Sequence, residues 1–238
     1  MRVHVVPTAE AVVPGQLAGV TVLVIDVLRA STTIVTALAS GCTAVVPVGD
    51  APSALSRARA GGALAAGERR GEPLAGFDLG NSPLECGPER VGGRTVFFTT
   101  SNGTRALLAA RGAAAVGVAA LVNAGAAAAW AAAEGRDVVV LCAGERGRPS
   151  LEDDVCAGLL VERLTAAGLA PSPAALAAMA TARRYGADVA RLAVDSAWAR
   201  HLARRGRGRD VAACLALDTT RLVPVYLASV DKIVAGHR

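Results

Sequence analysis

The chain has 238 residues, of which 53% are hydrophobic, 3% aromatic and 19% charged, with a formal net charge of +5. That length and apolar content suffice to bury a large α/β core, whereas so few aromatics exclude the stacked platforms on which single-stranded nucleic acid is usually bound. All but one of the 25 cationic residues are arginine, the exception being Lys232. The densest run (Arg204, Arg205, Arg207, Arg209) is interrupted by glycine and lacks aromatic partners, so it reads as a solvated loop rather than a nucleic-acid patch.

The opening segment, MRVHVVPTAE, reaches Pro7 and Glu10 before an apolar stretch of signal-peptide length develops, so no secretion signal is expected. The cysteines Cys42, Cys86, Cys142, Cys156 and Cys214 form no C-x-x-C pair, and their odd number argues against a complete disulfide framework; reduced thiols and a cytoplasmic location are expected. His4, His201 and His237 show no metal-ligand spacing, which speaks against zinc and phosphohistidine chemistry.

Val22 to Gly41, VLVIDVLRASTTIVTALASG, reads as a buried strand, a Ser/Thr loop with an arginine, and a helix closed by Gly41. A second apolar run, TAVVPV, follows at Thr43 to Val48. An Ala-rich helical stretch and a third strand ending in Gly67-Glu68-Arg69 complete the unit. After a connector, GEPLAGFDLGNSPLECGPER (Gly71 to Arg90), the same order returns. TVFFTTSNGTRALLAARG (Thr95 to Gly112) is followed by AAAVGV (Ala113 to Val118), a helical stretch, and a strand leading to Gly144-Glu145-Arg146. We read an internal duplication of a βαβαβ unit, with halves over about 20–70 and 94–148 and a C-terminal portion over 150–238, in one domain spanning 1–238. The connector is long for a loop, and Phe77, Leu79 and Leu84 would anchor it as an ordered wall of the site.

SLEDDVCAGLLVERLTAAG (Ser150 to Gly168) starts a helix with Ser150 at the N-cap, and its first turn holds Glu152, Asp153 and Asp154, where the helix dipole favours acids. Helices are predicted over Ser172 to Tyr185 and Ser196 to Arg205, and VAACLAL and VPVYLA are predicted as closing strands. Arg111, Asn123 and several glycines break the hydrophobic stretch from Ala106 to Ala133, so no membrane span is expected. The alternation of strands and helices implies a three-layer α/β/α fold with a mainly parallel sheet. Ligands of such sheets sit at the carboxyl ends of strands, the places held by Asp26, Glu68, Thr99 to Thr104, and Glu145.

Ser31 and Thr32 in the first loop, and Ser101, Asn102, Gly103 and Thr104 in the second, stand where helix N-termini offer hydroxyls and N–H groups to an anion; ordinary N-capping is the competing reading. Each loop also has an arginine, Arg29 or Arg105, whose fork suits phosphate, carboxylate or sulfonate. Asp26 ends an apolar strand, where a carboxylate needs a partner: either a salt bridge to Arg29, or a role as metal ligand or nucleophile. Glu68 and Glu145 would pair with the adjacent Arg69 and Arg146 or converge with Asp26 on a cation. Carboxylates beside an anion site suggest Mg²⁺. Asn81 and Ser82 in the connector would complete the pocket or form a solvent turn. No G-x-x-x-x-G-K-[ST] occurs, and Leu28 stands where Asp-x-Asp phosphatases place a second carboxylate. CAGERGR (Cys142 to Arg148) formally fits a C-x₅-R phosphatase loop, but Glu145 inside it would repel phosphate.

The motifs IDVLRASTTIVTAL, GERRGEPLAGFDLGNSPLE, TTSNGTRAL and CAGERG followed by SLEDDVCAG resemble, in that order, the 2-phosphosulfolactate phosphatase family, and DVAACLALDTTRLVPV (Asp210 to Val225) looks like its C-terminal portion. The resemblance implies an α/β/α fold and a Mg²⁺-dependent hydrolysis of (R)-2-phospho-3-sulfolactate to (R)-3-sulfolactate and phosphate, a step toward coenzyme M. On that reading Asp26 and Arg29 are catalytic. Asp26, Glu68 and Glu145 hold the metal, and Ser31, Thr32, Asn81, Ser82 and Ser101 to Arg105 bind a small anionic substrate. The segment from about Pro171 to Gly208 matches less clearly, so no substrate-specifying residue is placed there. The alternatives are a phosphatase for another phosphorylated hydroxy acid and a non-catalytic binder of anionic metabolites. Close packing of Ala-rich helices leaves room for a homodimer.

Overall fold

The computed structural model describes residues 1–236, so His237 lies outside the described residues. The chain begins with β1 (Arg2–Val6), followed by β2 (Thr21–Ile25), α1 (Ala30–Ala39), β3 (Ala44–Pro47), α2 (Ala51–Ala60) and β4 (Leu64–Arg69). The connector contributes β5 (Glu72–Pro73) and α3 (Pro88–Val91). Next come β6 (Thr95–Thr99), α4 (Gly103–Ala109), β7 (Ala115–Ala119), α5 (Ala124–Ala133) and β8 (Val138–Cys142). The C-terminal portion holds α6 (Leu151–Ala166), β9 (Ala170–Pro171), α7 (Pro173–Arg183), α8 (Leu192–Asp195), α9 (Ala197–Leu202), α10 (Gly208–Cys214), β10 (Pro224–Leu227) and β11 (Lys232–Ala235).

All five residues of β2 and of β8 are buried, as strands covered on both faces must be. Alternate side chains of β2 serve the two faces. Leu23 and Ile25 pack with α5 and α6 residues such as Ala128 and Leu160, while Val22 and Val24 pack with Ile34, Leu38 and Leu107 of α1 and α4. This is the expected α/β class with a large, mainly parallel sheet.

The strands form one sheet in the order β5-β4-β6-β3-β11-β10-β7-β2-β8-β1-β9. The βαβαβ order occurs twice, and the two occurrences interleave. β2 lies parallel between β7 and β8, and β6 lies parallel between β3 and β4, so the first strand of each unit sits between the second and third strands of the other. The β10–β11 hairpin pairs antiparallel with β7 on one side and β3 on the other. The loops that leave β2 and β6 nevertheless meet. A Cβ built on Gly103 would lie 2.5 Å from the Ala30 Cβ and 2.6 Å from an Asp26 carboxylate oxygen, so only a glycine lets the start of α4 approach the first loop this closely.

Two C-terminal expectations are corrected. VAACLAL is helical at its start because Asp210, Val211 and Cys214 are the buried positions, a spacing of one helical face and not of a strand. VPVYLA does supply a strand, but as one arm of the β10–β11 hairpin, whose second arm the apolar pattern did not announce. The connector is ordered: Leu79 is buried and bridges to Ala66, and Phe77 packs on Val46, Val48 and Ala54, although Leu84 is exposed. Among the described residues no helix is long and apolar enough to cross a membrane.

β4 delivers Glu68 to the site only because Gly67 lets it pass close to β6; any Cβ at Gly67 would run into the Thr99 carbonyl oxygen, and its φ is +151°. Forced overpacking of this kind costs roughly 1–3 kcal/mol or more. Gly67→Ala is expected to lower Tm by roughly 5 °C or more in a thermal unfolding scan; an unchanged Tm would show that β4 and β6 can part without penalty.

Candidate active site

The loop after β2 is held by its own polar groups. The Asp26 N–H donates to Ser31 Oγ at 2.9 Å, the Ser31 N–H returns a bond to the Asp26 carbonyl at 2.9 Å, and the Ala30 N–H donates to Asp26 Oδ1 at 3.2 Å. Ser31 Oγ also donates to the Val24 carbonyl, and Thr32 Oγ1 donates to the Val27 carbonyl at 2.9 Å. Both hydroxyls are therefore occupied inside the loop, and neither residue lines the cleft. The expected direct role of Ser31 and Thr32 in holding a substrate gives way to one of shaping the turn that presents Asp26.

The loop after β6 behaves alike. Thr104 Oγ1 accepts from the Thr100 N–H at 2.8 Å and is buried, while the Ser101 N–H and Oγ donate to the Glu68 carboxylate at 2.7 and 3.2 Å. Asn102 Oδ1 accepts from the Arg146 N–H at 3.4 Å, and the Arg105 guanidinium pairs with Glu10. Together the loops bound a cleft of about 860 Å³, lined among others by Asp26, Arg29, Glu68, Asn81, Ser101, Asn102, Arg105 and Glu145. Ser82, Gly103 and Thr104 stand behind its wall. Asn81 is buried, and its Oδ1 has no hydrogen-bond partner.

The acids do not pair as their sequence neighbours suggested. Arg29, itself buried, is ion-paired with Asp210 rather than Asp26, and donates to the Gly71 carbonyl at 3.1 Å. Ser82 Oγ donates to the other oxygen of Asp210 at 2.8 Å. Glu68 accepts from the Gly71 N–H at 2.6 Å as well as from Ser101, while Arg69 donates to the Glu68 carbonyl and to Thr99 Oγ1. Glu145 is the one acid beside its expected partner, at 4.0 Å from Arg146 Nε. Among the described residues, no group of three His, Cys, Asp or Glu side chains is arranged to hold a metal ion, so a metal held by Asp26 with Glu68 or Glu145 would complete its shell from other donors. The Glu68 oxygens are already taken up by N–H and O–H donors.

Three contributors escaped the sequence reading. Asp153 stands in the first turn of α6, where the dipole favours an acid, yet it is buried and its two oxygens accept from the Val27 N–H at 2.9 Å and the Gly144 N–H at 3.1 Å, tying the loop after β2 to the loop after β8. The signal was available: Asp153 shares a helical face with Cys156, Ala157, Leu160 and Leu164, all buried. Asp210 lies on α10, one residue before the run read as a strand. Trp198 lines the cleft and donates its indole N–H to the Leu28 carbonyl at 3.0 Å, so the segment from Pro171 to Gly208 contributes to the cleft wall.

Burial, helped by the charges of Glu68 and Glu152, pushes the Asp26 carboxyl up to about 7 against the opposing Ala30 N–H and Arg29. Burial likewise drives Asp153 well above the usual carboxylate range, helped by Asp26 and Glu152, and raises Glu152. Cys142 is buried, and burial together with Asp153 lifts its thiol well above the usual value, so the C-x₅-R coincidence supplies no thiolate. All five cysteines are free and buried.

Residues 6–229 match the profile of the family described as 2-phosphosulpholactate phosphatase. A probable 2-phosphosulfolactate phosphatase of Gloeobacter violaceus is 42% identical over 96% of this chain and 97% of its own length. Proteins of the same description from Symbiobacterium thermophilum and Deinococcus radiodurans are 40% and 42% identical, covering 93% and 90% of this chain and 95% and 90% of their own.

The folded Asp26 carboxyl keeps its proton up to about pH 7, whereas the unfolded one loses it near 3.8, so the folded state binds more protons in that window and stability falls as pH rises through it. Asp26→Asn is therefore expected to unfold with wild-type below about pH 4 and at least roughly 3 °C above it at pH 8, a gap that scans across pH would find absent if Asp26 titrates normally. Asp153→Asn puts an N–H₂ against one of two N–H donors and is expected to cost roughly 1–3 kcal/mol in urea unfolding.

Proposed function

The chain belongs to the 2-phosphosulpholactate phosphatase family and is a phosphoric monoester hydrolase; on that premise we propose that it hydrolyses (R)-2-phospho-3-sulfolactate to (R)-3-sulfolactate and phosphate, with Mg²⁺ as cofactor. One observation carries the substrate class. Five arginines, Arg29, Arg69, Arg70, Arg105 and Arg146, line the cleft against three carboxylates, Asp26, Glu68 and Glu145. With Arg29 paired to Asp210 and Arg105 to Glu10, Arg69 and Arg70 make no ion pair among the described residues and Arg146 only one at 4.0 Å. Guanidinium groups left in that state suit a ligand with several anionic groups, such as phosphate, carboxylate and sulfonate together.

Mg²⁺ typically takes one or two protein carboxylates and completes its shell from water and substrate phosphate, so it needs no all-protein cage. The donors fit that mode: Asp26 is the carboxylate at the focus of the cleft, Glu145 stands on its wall with its carboxylate committed only to a long contact with Arg146, and Glu68 is spent on backbone donors. When bound, the ion would neutralise phosphoryl charge and polarise the phosphorus toward attack.

The chain's own residues then position and protonate. Arg29, held rigid by Asp210 and the Gly71 carbonyl, offers a fixed positive charge beside Asp26 for the phosphoryl oxygens. Water attacks phosphorus as the bond from phosphorus to the ester oxygen breaks, and the Asp26 carboxylate, which lines the cleft, takes the proton that water gives up and passes it to the leaving alkoxide, which becomes the hydroxyl of the product. Trp198 forms part of the cleft wall.

The test is phosphate release from metal-stripped protein with racemic 2-phospho-3-sulfolactate, phospholactate and an aryl phosphate, each with and without Mg²⁺. Turnover of the sulfonated substrate restored by Mg²⁺ and lost in Asp26→Asn is the expected result. Equal turnover without metal would remove Mg²⁺ from the reading. Preference for phospholactate would move the substrate to another phosphorylated hydroxy acid.

A further inference from the structure

The cleft holds two hairpin tips of matching geometry. β4 and β5 pair at Glu68 with Pro73 and at Arg69 with Glu72, leaving Arg70 and Gly71 as the turn; Glu145 bridges to Arg148, leaving Arg146 and Gly147. Both central residues of each turn have positive φ: 55° and 84° at Arg70 and Gly71, 50° and 74° at Arg146 and Gly147. That is the signature of a type I′ turn, whose first central position is normally filled by Asn, Asp or Gly because other side chains are strained there. Arginine offers the turn nothing, and it stands at that position twice.

The remaining cleft arginines are committed elsewhere. Arg29 serves Asp210 and the Gly71 carbonyl, Arg69 serves the Glu68 carbonyl and Thr99, and Arg105 serves Glu10. Among the described residues the Arg70 side chain makes no ion pair or hydrogen bond, and Arg146 has only the 4.0 Å approach of Glu145 to its Nε, which leaves its terminal nitrogens free. The second loop, from which a second anion site was expected, has its Ser101 donors taken by Glu68. A buried amide with an unsatisfied oxygen, Asn81, lines the same cleft and marks it as a place that awaits a ligand.

We infer that Arg70 and Arg146, carried on paired type I′ turns, form the subsite that holds the carboxylate and the sulfonate flanking the phosphate-bearing carbon of the substrate and so set selectivity for a multiply anionic ester. This rests on the phosphatase reading for its substrate, but binding of the dephosphorylated dianion tests it separately.

The experiment is calorimetric titration of (R)-3-sulfolactate into the wild-type protein and into Arg70→Asn, Arg146→Asn and double variants, with Tm recorded for each. Asn-Gly is the preferred type I′ pair, so Tm should hold or rise, while sulfolactate affinity should fall by on the order of tenfold per variant and further in the double. Arg→Gln at both positions keeps length and backbone strain without charge and should lose the same affinity. In turnover, the ratio of kcat/KM for the sulfonated substrate to that for an aryl phosphate should drop at least roughly tenfold in the double variant. No measurable binding of sulfolactate by wild type, or equal affinity in the variants, overturns the inference. Failure of the wild type to release phosphate, with the affinity loss intact, overturns the phosphatase reading and leaves this subsite standing.

Discussion

The site depends on carboxylates buried against backbone N–H groups. Glu68 accepts from Gly71 and Ser101, and Asp153 accepts from Val27 and Gly144. Each thus binds together loops that leave different strands. A buried carboxylate is costly unless its lone pairs are met, and a buried N–H is costly unless it donates. Satisfying both at once fixes the loops with little freedom. Gly67 and Gly103 make the approach physically open, since a side chain at either would collide with the neighbouring loop or strand.

That economy of acceptors shapes the electrostatics. Asp26 sits among Glu68, Glu152 and Asp153, and burial with this company keeps its proton on to near neutral pH. Such an acid works against the stability of the fold, as reactive groups commonly do, and its surroundings supply the opposing charge. Arg29 is the nearest countercharge, but the protein directs it to Asp210. A buried pair like this stabilises less by its attraction than it penalises loss of either member, typically by about 3–5 kcal/mol. Through Asp210 and Ser82, α10 and the connector are therefore committed to the orientation of one guanidinium at the cleft.

Much of the fold was legible because its strands bury both faces and its helices begin at recognisable caps. VLVI and VVVLC are continuous apolar runs of strand length, and the Ser/Thr loops after Asp26 and Thr99 fall at helix starts. The cleft positions of Asp26, Glu68 and Glu145 followed from the rule that ligands gather at carboxyl ends of strands. What failed were assignments that assumed local partners. Arg29 stands three residues from Asp26 and pairs with a residue 181 positions away. Ser31 and Thr32 have the right chemistry for an anion and spend it on Val24, Asp26 and Val27. VAACLAL is apolar enough for a strand, and only the burial of Asp210, Val211 and Cys214 on one side makes it a helix.

By itself, then, the sequence determined the α/β class, the twofold βαβαβ order, and the loops in which reactive groups would stand, since all three are written in local periodicity and residue type. Tertiary structure alone decided how those loops meet, which acid holds which N–H, and which arginines remain free for a ligand. The reason is that a hydrogen-bonding group has few lone pairs or protons to give, and their allocation among neighbours brought together by β2 between β7 and β8, and β6 between β3 and β4, has no trace in sequence spacing.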